Sequence, residues 1–217
     1  LSMQELSKGG NRPAGHPKTE FKKIAVVGAG LMGAGIAYVQ AKAGIPTVLV
    51  DVSKENAEKG KDYSRRLVEK AVSRGKSTQE KGDALLDLIT TTDNYDDVKG
   101  ADLVIEAVFE NVELKAKITK MAEAVLDEDA VFGSNTSTLP ITGLAEASTR
   151  PENFIGIHFF SPVERMGLVE IISGEKTSEA TLAKAVDYVL AIRKTPIAVN
   201  DSRGFYTSRC FGTYTRE

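Results

Sequence analysis

"KIAVVGAGLMGAGIAYVQAKAGIPTVLVD" runs from Lys23 to Asp51. Ile24-Ala25-Val26-Val27 is an unbroken apolar run, as expected of a strand buried on both faces. Next comes Gly28-Ala29-Gly30-Leu31-Met32-Gly33, a G-x-G-x-x-G. Residues 31–43, rich in Ala and Gly, read as a helix, with Gly44 where a helix end favours a left-handed residue. Thr47-Val48-Leu49-Val50 is a second strand, closed by Asp51. A glycine triplet alone is common in loops. Here it follows a strand, opens a helix and precedes an acid at the end of the next strand, the context in which such a turn holds a dinucleotide.

Each residue has its own task in that reading. Gly28 permits the tight turn, Gly30 lets the backbone approach a pyrophosphate, and Gly33 lets helix and strand pack closely. Leu31 and Met32 begin the helix, whose free N–H groups face the pyrophosphate charge. Asp51 would accept hydrogen bonds from ribose hydroxyls and repel a 2′-phosphate, which predicts NAD over NADP. The bare alternative is a glycine-rich turn that binds nothing.

Outward from this unit the alternation continues. Residues 53–88 are charged and read as helical, with a break near Gly75 or Gly82. Leu103-Val104-Ile105 and Ala130-Val131-Phe132 read as strands. Between them Leu114, Ile118, Met121 and Val125 recur at i, i+4, i+7 and i+11, one face of a helix. Residues 154–157 and 168–172 are further strands. Ser178 is placed to cap a helix with Leu182, Val186 and Val189 inward, and residues 196–199 close the series. Strands alternating with helices, most strands uniformly apolar, predict an α/β fold: a Rossmann-type doubly wound, mostly parallel sheet with helices on both faces.

Composition narrows the function. Lys and Arg total 28 against 30 Asp and Glu, a net charge of −2, so there is no electrostatic case for nucleic acid. The single Cys210 excludes an internal disulfide and a cysteine-based zinc site, and nothing in the sequence indicates a metal. No apolar run reaches the roughly 18 residues of a spanning helix. Residues 1–20 read as a linker or lead-in, and His16 between Gly15 and Pro17 carries no role.

The remaining histidine is more telling. His158 ends one apolar segment, and Glu170 sits inside the next, Leu168-Val169-Glu170-Ile171-Ile172. Taken singly, they read as a strand-end histidine and an edge-strand acid. Together they suggest a pair, because a carboxylate among apolar residues is costly to desolvate unless partnered. A carboxylate on one ring nitrogen fixes the tautomer and leaves the other nitrogen to take a proton. Hydride transfer from an alcohol to NAD needs such a base, and "SNTSTLPI" offers further donors in Ser134, Asn135, Thr136, Ser137 and Thr138. The same cluster also suits a helix N-cap before Pro140.

Four motifs in order, "VGAGLMGAGIA", "VIEAVFENVELK", "SNTSTLPI" and "HFFSPVERMGLVEII", resemble the L-3-hydroxyacyl-CoA dehydrogenases of fatty-acid β-oxidation. The likeness runs from about Lys23 to the last residue. It is strongest to the dehydrogenase part of multifunctional β-oxidation proteins of the trifunctional enzyme alpha subunit type, in which an enoyl-CoA hydratase domain lies upstream. The resemblance implies His158 as general base, Glu170 as its orienting partner, and Ser137 as a hydrogen bond to the reacting oxygen and the cofactor. It implies NAD contacts from residues 28–33, Asp51, Val108, Phe109, Glu110, Lys115 and Ser137. On their own, Glu110 and Lys115 read as a solvated pair beside a helix start. Ser161 stands where many members have an Asn that meets the nicotinamide end. Ser208, a residue near the substrate, stands where single-function members have an Asn.

The resemblance also sets expectations for the whole protein. Residues 21–200 would be the NAD-binding domain, and 201–217 the start of a helical domain that is largely absent from this chain. The implied substrate is a (3S)-3-hydroxyacyl-CoA, and the parent is expected to be dimeric or complexed with a thiolase. Its location would be intracellular: bacterial cytoplasm, mitochondrion or peroxisome. Two other readings stay open. One is an NAD-dependent dehydrogenase of another 3-hydroxy acid. The other is a non-catalytic NAD-binding module. Lys61, Arg65, Arg66, Lys70 and Arg74 are candidates for coenzyme A phosphates, or simply a solvated helix face.

Overall fold

The computed structural model describes residues 2–201. Ser208 and the expected start of a second domain after Asp201 lie outside the described residues. The lead-in is tied down by its own polar side chains. Helix α1 (Met3–Ser7) starts with a reciprocal cap, in which the Glu5 N–H donates to the Ser2 hydroxyl and the Ser2 N–H to the Glu5 carboxylate. Arg12 then donates from Nε and Nη2 to the two oxygens of Asp187, at 2.7 and 3.1 Å. The Thr19 N–H adds a third bond to that carboxylate, at 2.9 Å.

Strand β1 (Ile24–Val27) is buried along its whole length, as its apolar run predicts. Helix α2 (Leu31–Lys42) follows and leads to β2 (Thr47–Val50). Two glycines decide this turn. Gly28 has φ +102°, and a Cβ there would lie 2.7 Å from the Ala107 carbonyl oxygen. A Cβ on Gly33 would lie 1.6 Å from the Gly28 carbonyl oxygen, so only glycine lets α2 pack this closely on β1. We expect Gly33→Ala to cost more than about 3 kcal/mol, because both clashing atoms belong to the main chain. Thermal denaturation followed by circular dichroism would show a Tm lowered by about 6 °C or more. An unchanged Tm would mean that this packing is not rigid.

The charged stretch forms two helices, α3 (Lys54–Ser73) and α4 (Gln79–Asp87), broken at Gly75. Strand β3 (Ile89–Thr92) follows, and the sequence reading missed it. Next come β4 (Leu103–Glu106), α5 (Val112–Glu123), β5 (Val131–Ser134) and the short α6 (Ile141–Leu144). Strands β6 (Phe154–Phe159) and β7 (Leu168–Ser173), helix α7 (Glu179–Ala191) and β8 (Thr195–Asn200) complete the domain. The Ser178 hydroxyl accepts the Thr181 N–H, so the predicted cap of α7 is in place.

All eight strands join one sheet in the order β3-β2-β1-β4-β5-β6-β7-β8. Every neighbouring pair is parallel except β6 with β7. Alternate strand residues feed two cores. Ile24, Val26, Leu49 and Ile105 pack with Ile36 of α2 and Tyr188 of α7 on one side. Ala25, Val27, Val104 and Phe132 pack with Ile118 of α5 on the other. The strand order turns at β1, which has β2 on one flank and β4 on the other. A crevice therefore opens beyond the carboxyl ends of these strands. Among the described residues, no helix is long and apolar enough to cross a membrane.

The expected inner face of α7 is in place: Val186 and Val189 are buried and half-buried Leu182 packs against the same core, joined by Ala185 and Tyr188. In α5 the buried residues are Lys115, Ile118, Thr119 and Ala122, and Met121 is exposed. Of the expected apolar row, Ile118 belongs to the second core and Leu114 and Val125 pack against it, so Met121 is the exception.

Candidate functional site

A cleft of about 1010 Å³ follows the carboxyl edge of the sheet. One end is built from the β1–α2 turn and the tip of β2. Gly28, Gly30, Leu31 and Met32 border it, with Asp51 beside them; Gly33 packs underneath. Helix α2 has no side-chain cap at Gly30, so its first N–H groups are free to serve a ligand. A Cβ on Gly30 would meet nothing within 4 Å, which leaves an open cradle in front of those donors. Asp51 is aimed by the backbone: its carboxylate accepts the Ala29 N–H at 2.8 Å and the Val52 N–H at 2.6 Å. Cradle, donors and acid together fit the pyrophosphate and ribose of NAD.

This end extends beyond the predicted residues. Asp93 and Tyr95, just after β3, also line it. Burial, then the nearby Asp51 and Glu106 charges, pushes the Tyr95 phenol up to about 12, which keeps it a neutral donor. Leu114, Ile118 and Met121 line the same wall. The apolar row of α5 therefore faces the cleft as much as the core. Val108, Phe109 and Glu110 border the middle, with Phe109 84% exposed at the mouth.

At the far end lie Asn135, Ser137, His158, Phe160 and Ser161. The reversal of β7 explains why a histidine and a glutamate twelve positions apart belong together. His158 and Glu170 are direct partners in the antiparallel β6–β7 register. Such partners project from the same face of a sheet. His158 Nδ1 lies 3.7 Å from Glu170 Oε1, and the Glu170 side chain is fully buried. The Phe160 ring sits 4.6 Å from the imidazole, centroid to centroid. A carboxylate beside one ring nitrogen fixes the orientation of the imidazole and leaves its other nitrogen for a group in the cleft.

The Ser/Asn/Thr cluster divides its duties. Ser134 donates to Glu106 Oε1 at 2.6 Å, and Thr136 and Thr138 donate to Glu110 Oε2 at 2.8 and 3.0 Å. Asn135 accepts the Phe159 N–H, and Ser137 borders the cleft. None of these residues caps α6. Its first N–H groups, from Ile141 and Thr142, donate to Asp201 instead.

Beneath the cleft lies an ion pair that composition does not foretell. Lys115 Nζ is 2.6 Å from Glu106 Oε2, and both side chains are almost wholly buried. Glu106 also accepts the Val108 N–H at 2.9 Å. Glu110 Oε1 is 3.6 Å from the same ammonium. Lys115 is thus buried under the wall against Glu106, while Glu110, the other half of the expected solvated pair, stays exposed. The available signal was an acid closing the apolar run of β4, as Glu170 interrupts that of β7. On α3, Arg65 is engaged by Glu58 and Asp62 at 2.7 and 2.5 Å, leaving less of the expected basic face for a ligand.

The family model for the 3-hydroxyacyl-CoA dehydrogenase, NAD binding domain, matches residues 23–202. The chain belongs to the 3-hydroxyacyl-CoA dehydrogenase family. A fatty acid oxidation complex subunit alpha of Shewanella baltica is 44% identical over all of this chain, which spans 31% of that relative's length. Among solved structures, (S)-3-hydroxybutyryl-CoA dehydrogenase from Ralstonia eutropha is 38% identical with a TM-score of 0.86. That match covers 88% of this chain and 68% of the other. The dehydrogenase part of multifunctional enzyme 1 from C. elegans is 28% identical with a TM-score of 0.75, covering 83% of this chain and 41% of that one. Family membership makes this an NAD-binding domain, and the cleft has the shape such a domain requires.

Proposed function

We propose that this chain is the cofactor-binding domain, residues 21–200, of an NAD-dependent dehydrogenase that oxidises (3S)-3-hydroxyacyl-CoA to 3-ketoacyl-CoA. The observation that carries it is the pairing of His158 with Glu170 across β6–β7, at the end of the cleft opposite Asp51. His158 takes the proton of the substrate hydroxyl, and Glu170 stabilises the resulting imidazolium. Ser137 donates a hydrogen bond to the reacting oxygen. NAD would supply the hydride acceptor at the nicotinamide end of the cleft. Gly28, Gly30, Leu31 and Met32 hold its pyrophosphate, and Asp51 its ribose. Val108, Phe109 and Glu110 flank it, Ser161 meets the nicotinamide end, and Lys115 supports Glu110 from below. Ser208 is assigned near the substrate on the family pattern alone.

The acyl-CoA substrate and the larger parent are supported by the relatives' names and by their length. We infer an intracellular parent that assembles with other chains, a second copy or a thiolase, and the relative's name as a complex subunit supports the assembly alone. A second reading has its own support: an NAD-dependent dehydrogenase of a pyridine carboxylic acid is 32% identical with a TM-score of 0.79. One experiment separates the two. We expect NADH-linked reduction of acetoacetyl-CoA by the full-length parent, inhibited competitively by free coenzyme A. Turnover of a 3-hydroxy acid that is indifferent to free coenzyme A would favour the second reading. NADH binding by the parent without turnover of either substrate class would leave a non-catalytic module.

A further inference from the structure

His158 occupies a weakly laddered part of its strand. The β5–β6 pairing covers Phe132 to Ser134 against Phe154 to Gly156 and goes no further. Strand β6 continues through Ile157, His158 and Phe159, held on its other flank by β7. On the β5 flank, the Phe159 N–H donates instead to Asn135 Oδ1 at 3.0 Å. A side chain thus replaces the next ladder bond. The N–H donor identifies the accepting atom as the side-chain oxygen, and the residue also borders the cleft.

Asn135 is itself well anchored. Its N–H donates to the Glu106 carbonyl at 2.8 Å, and its carbonyl lies 3.4 Å from Lys115 Nζ. It therefore joins the ion pair under the floor to the strand end that carries the imidazole. We propose that Asn135 is a positioning residue: its side-chain oxygen holds the end of β6, and with it His158, in register with the Ser137 loop. This rests on His158 being the base. A misplacement of about 1 Å at a reacting group costs about 10²-fold in rate, so a single well-placed bond here has leverage.

The test uses this chain for position and the full-length parent for rate. His16 is the chain's only other histidine and serves as the internal reference. In Asn135→Ala we expect amide exchange at Phe159 to accelerate at least about tenfold and the His158 ring signals to move, with Val26 exchange unchanged. Asn135→Asp keeps an oxygen acceptor and should hold Phe159 protection within about threefold of the wild type. In the parent, Asn135→Ala should lower kcat about 10²-fold and leave KM for NAD within about threefold. If the alanine variant does not fold, Asn135→Ser, too short to reach Phe159, is read in the same way. Wild-type Phe159 exchange and His158 signals in the alanine or serine variant would overturn the proposal. So would an aspartate variant that exchanges as fast as alanine. Exchange and ring signals need no turnover, so a failure here is distinct from a failure of His158 as base.

Discussion

Replacing His158 by alanine in the full-length parent should lower kcat for acyl-CoA oxidation about 10²- to 10⁴-fold, the usual contribution of a positioned general base. NADH affinity should stay within about threefold, because the imidazole lies at the end of the cleft opposite the pyrophosphate cradle and Asp51. His158 is buried and lies beside the fully buried Glu170, so the alanine variant should lose some stability, and thermal unfolding should show it still folded at the assay temperature. Glu170→Gln should act in the same direction and less strongly, since the amide keeps the volume but loses the charge that stabilises imidazolium. Stopped-flow turnover beside NADH fluorescence titration separates chemistry from binding. His158→Ala turnover within about tenfold of the wild type would sink the assignment of the base.

The second large effect concerns stability. Lys115→Met removes the ammonium and strands Glu106 in a site with almost no exposure. Breaking a buried ion pair from one side costs about 3–5 kcal/mol. For a domain of this size that is a Tm lowered by about 6–20 °C. The double variant Glu106→Gln with Lys115→Met should recover most of the loss, because no uncompensated charge remains. Glutamine can still meet Ser134 and the Val108 N–H, which hold Glu106 now. Thermal unfolding of the single and double variants decides it. Equal loss in both would show that packing, and not charge, makes this site sensitive.

The β1–α2–β2 unit was legible because its signals are local: an apolar run, a glycine pattern and an acid at a fixed distance. The same holds for α7, whose cap Ser178 is three residues from its partner N–H. Strand β3 escaped notice because Ile89-Thr90-Thr91-Thr92 is mostly polar, as an edge strand can be. Lys115 misled because a lysine reads as solvated unless its partner is known. That partner, Glu106, lies in a preceding strand and meets it only after β4 and α5 pack. The α5 row serves two surfaces, since Leu114 and Ile118 pack on the core and, with Met121, also line the cleft, and periodicity alone does not separate the two. Asp201 as the cap of α6 depends on a contact 60 residues away, which no local rule reaches.

The antiparallel turn between β6 and β7 also bears on how this site tolerates change. The spacing of His158 and Glu170 is fixed by strand register, not by the length of the chain between them. Residues added to or removed from the connecting loop, 160–167, would reshape the wall that carries Phe160 and Ser161 and leave the two side chains facing each other. A slip of one residue in β7 would instead turn Glu170 to the opposite face and replace it with an apolar neighbour. Length variation in one short loop is thus a route to a different cleft wall that leaves the His158–Glu170 geometry intact. The same variation within either strand would abolish that geometry.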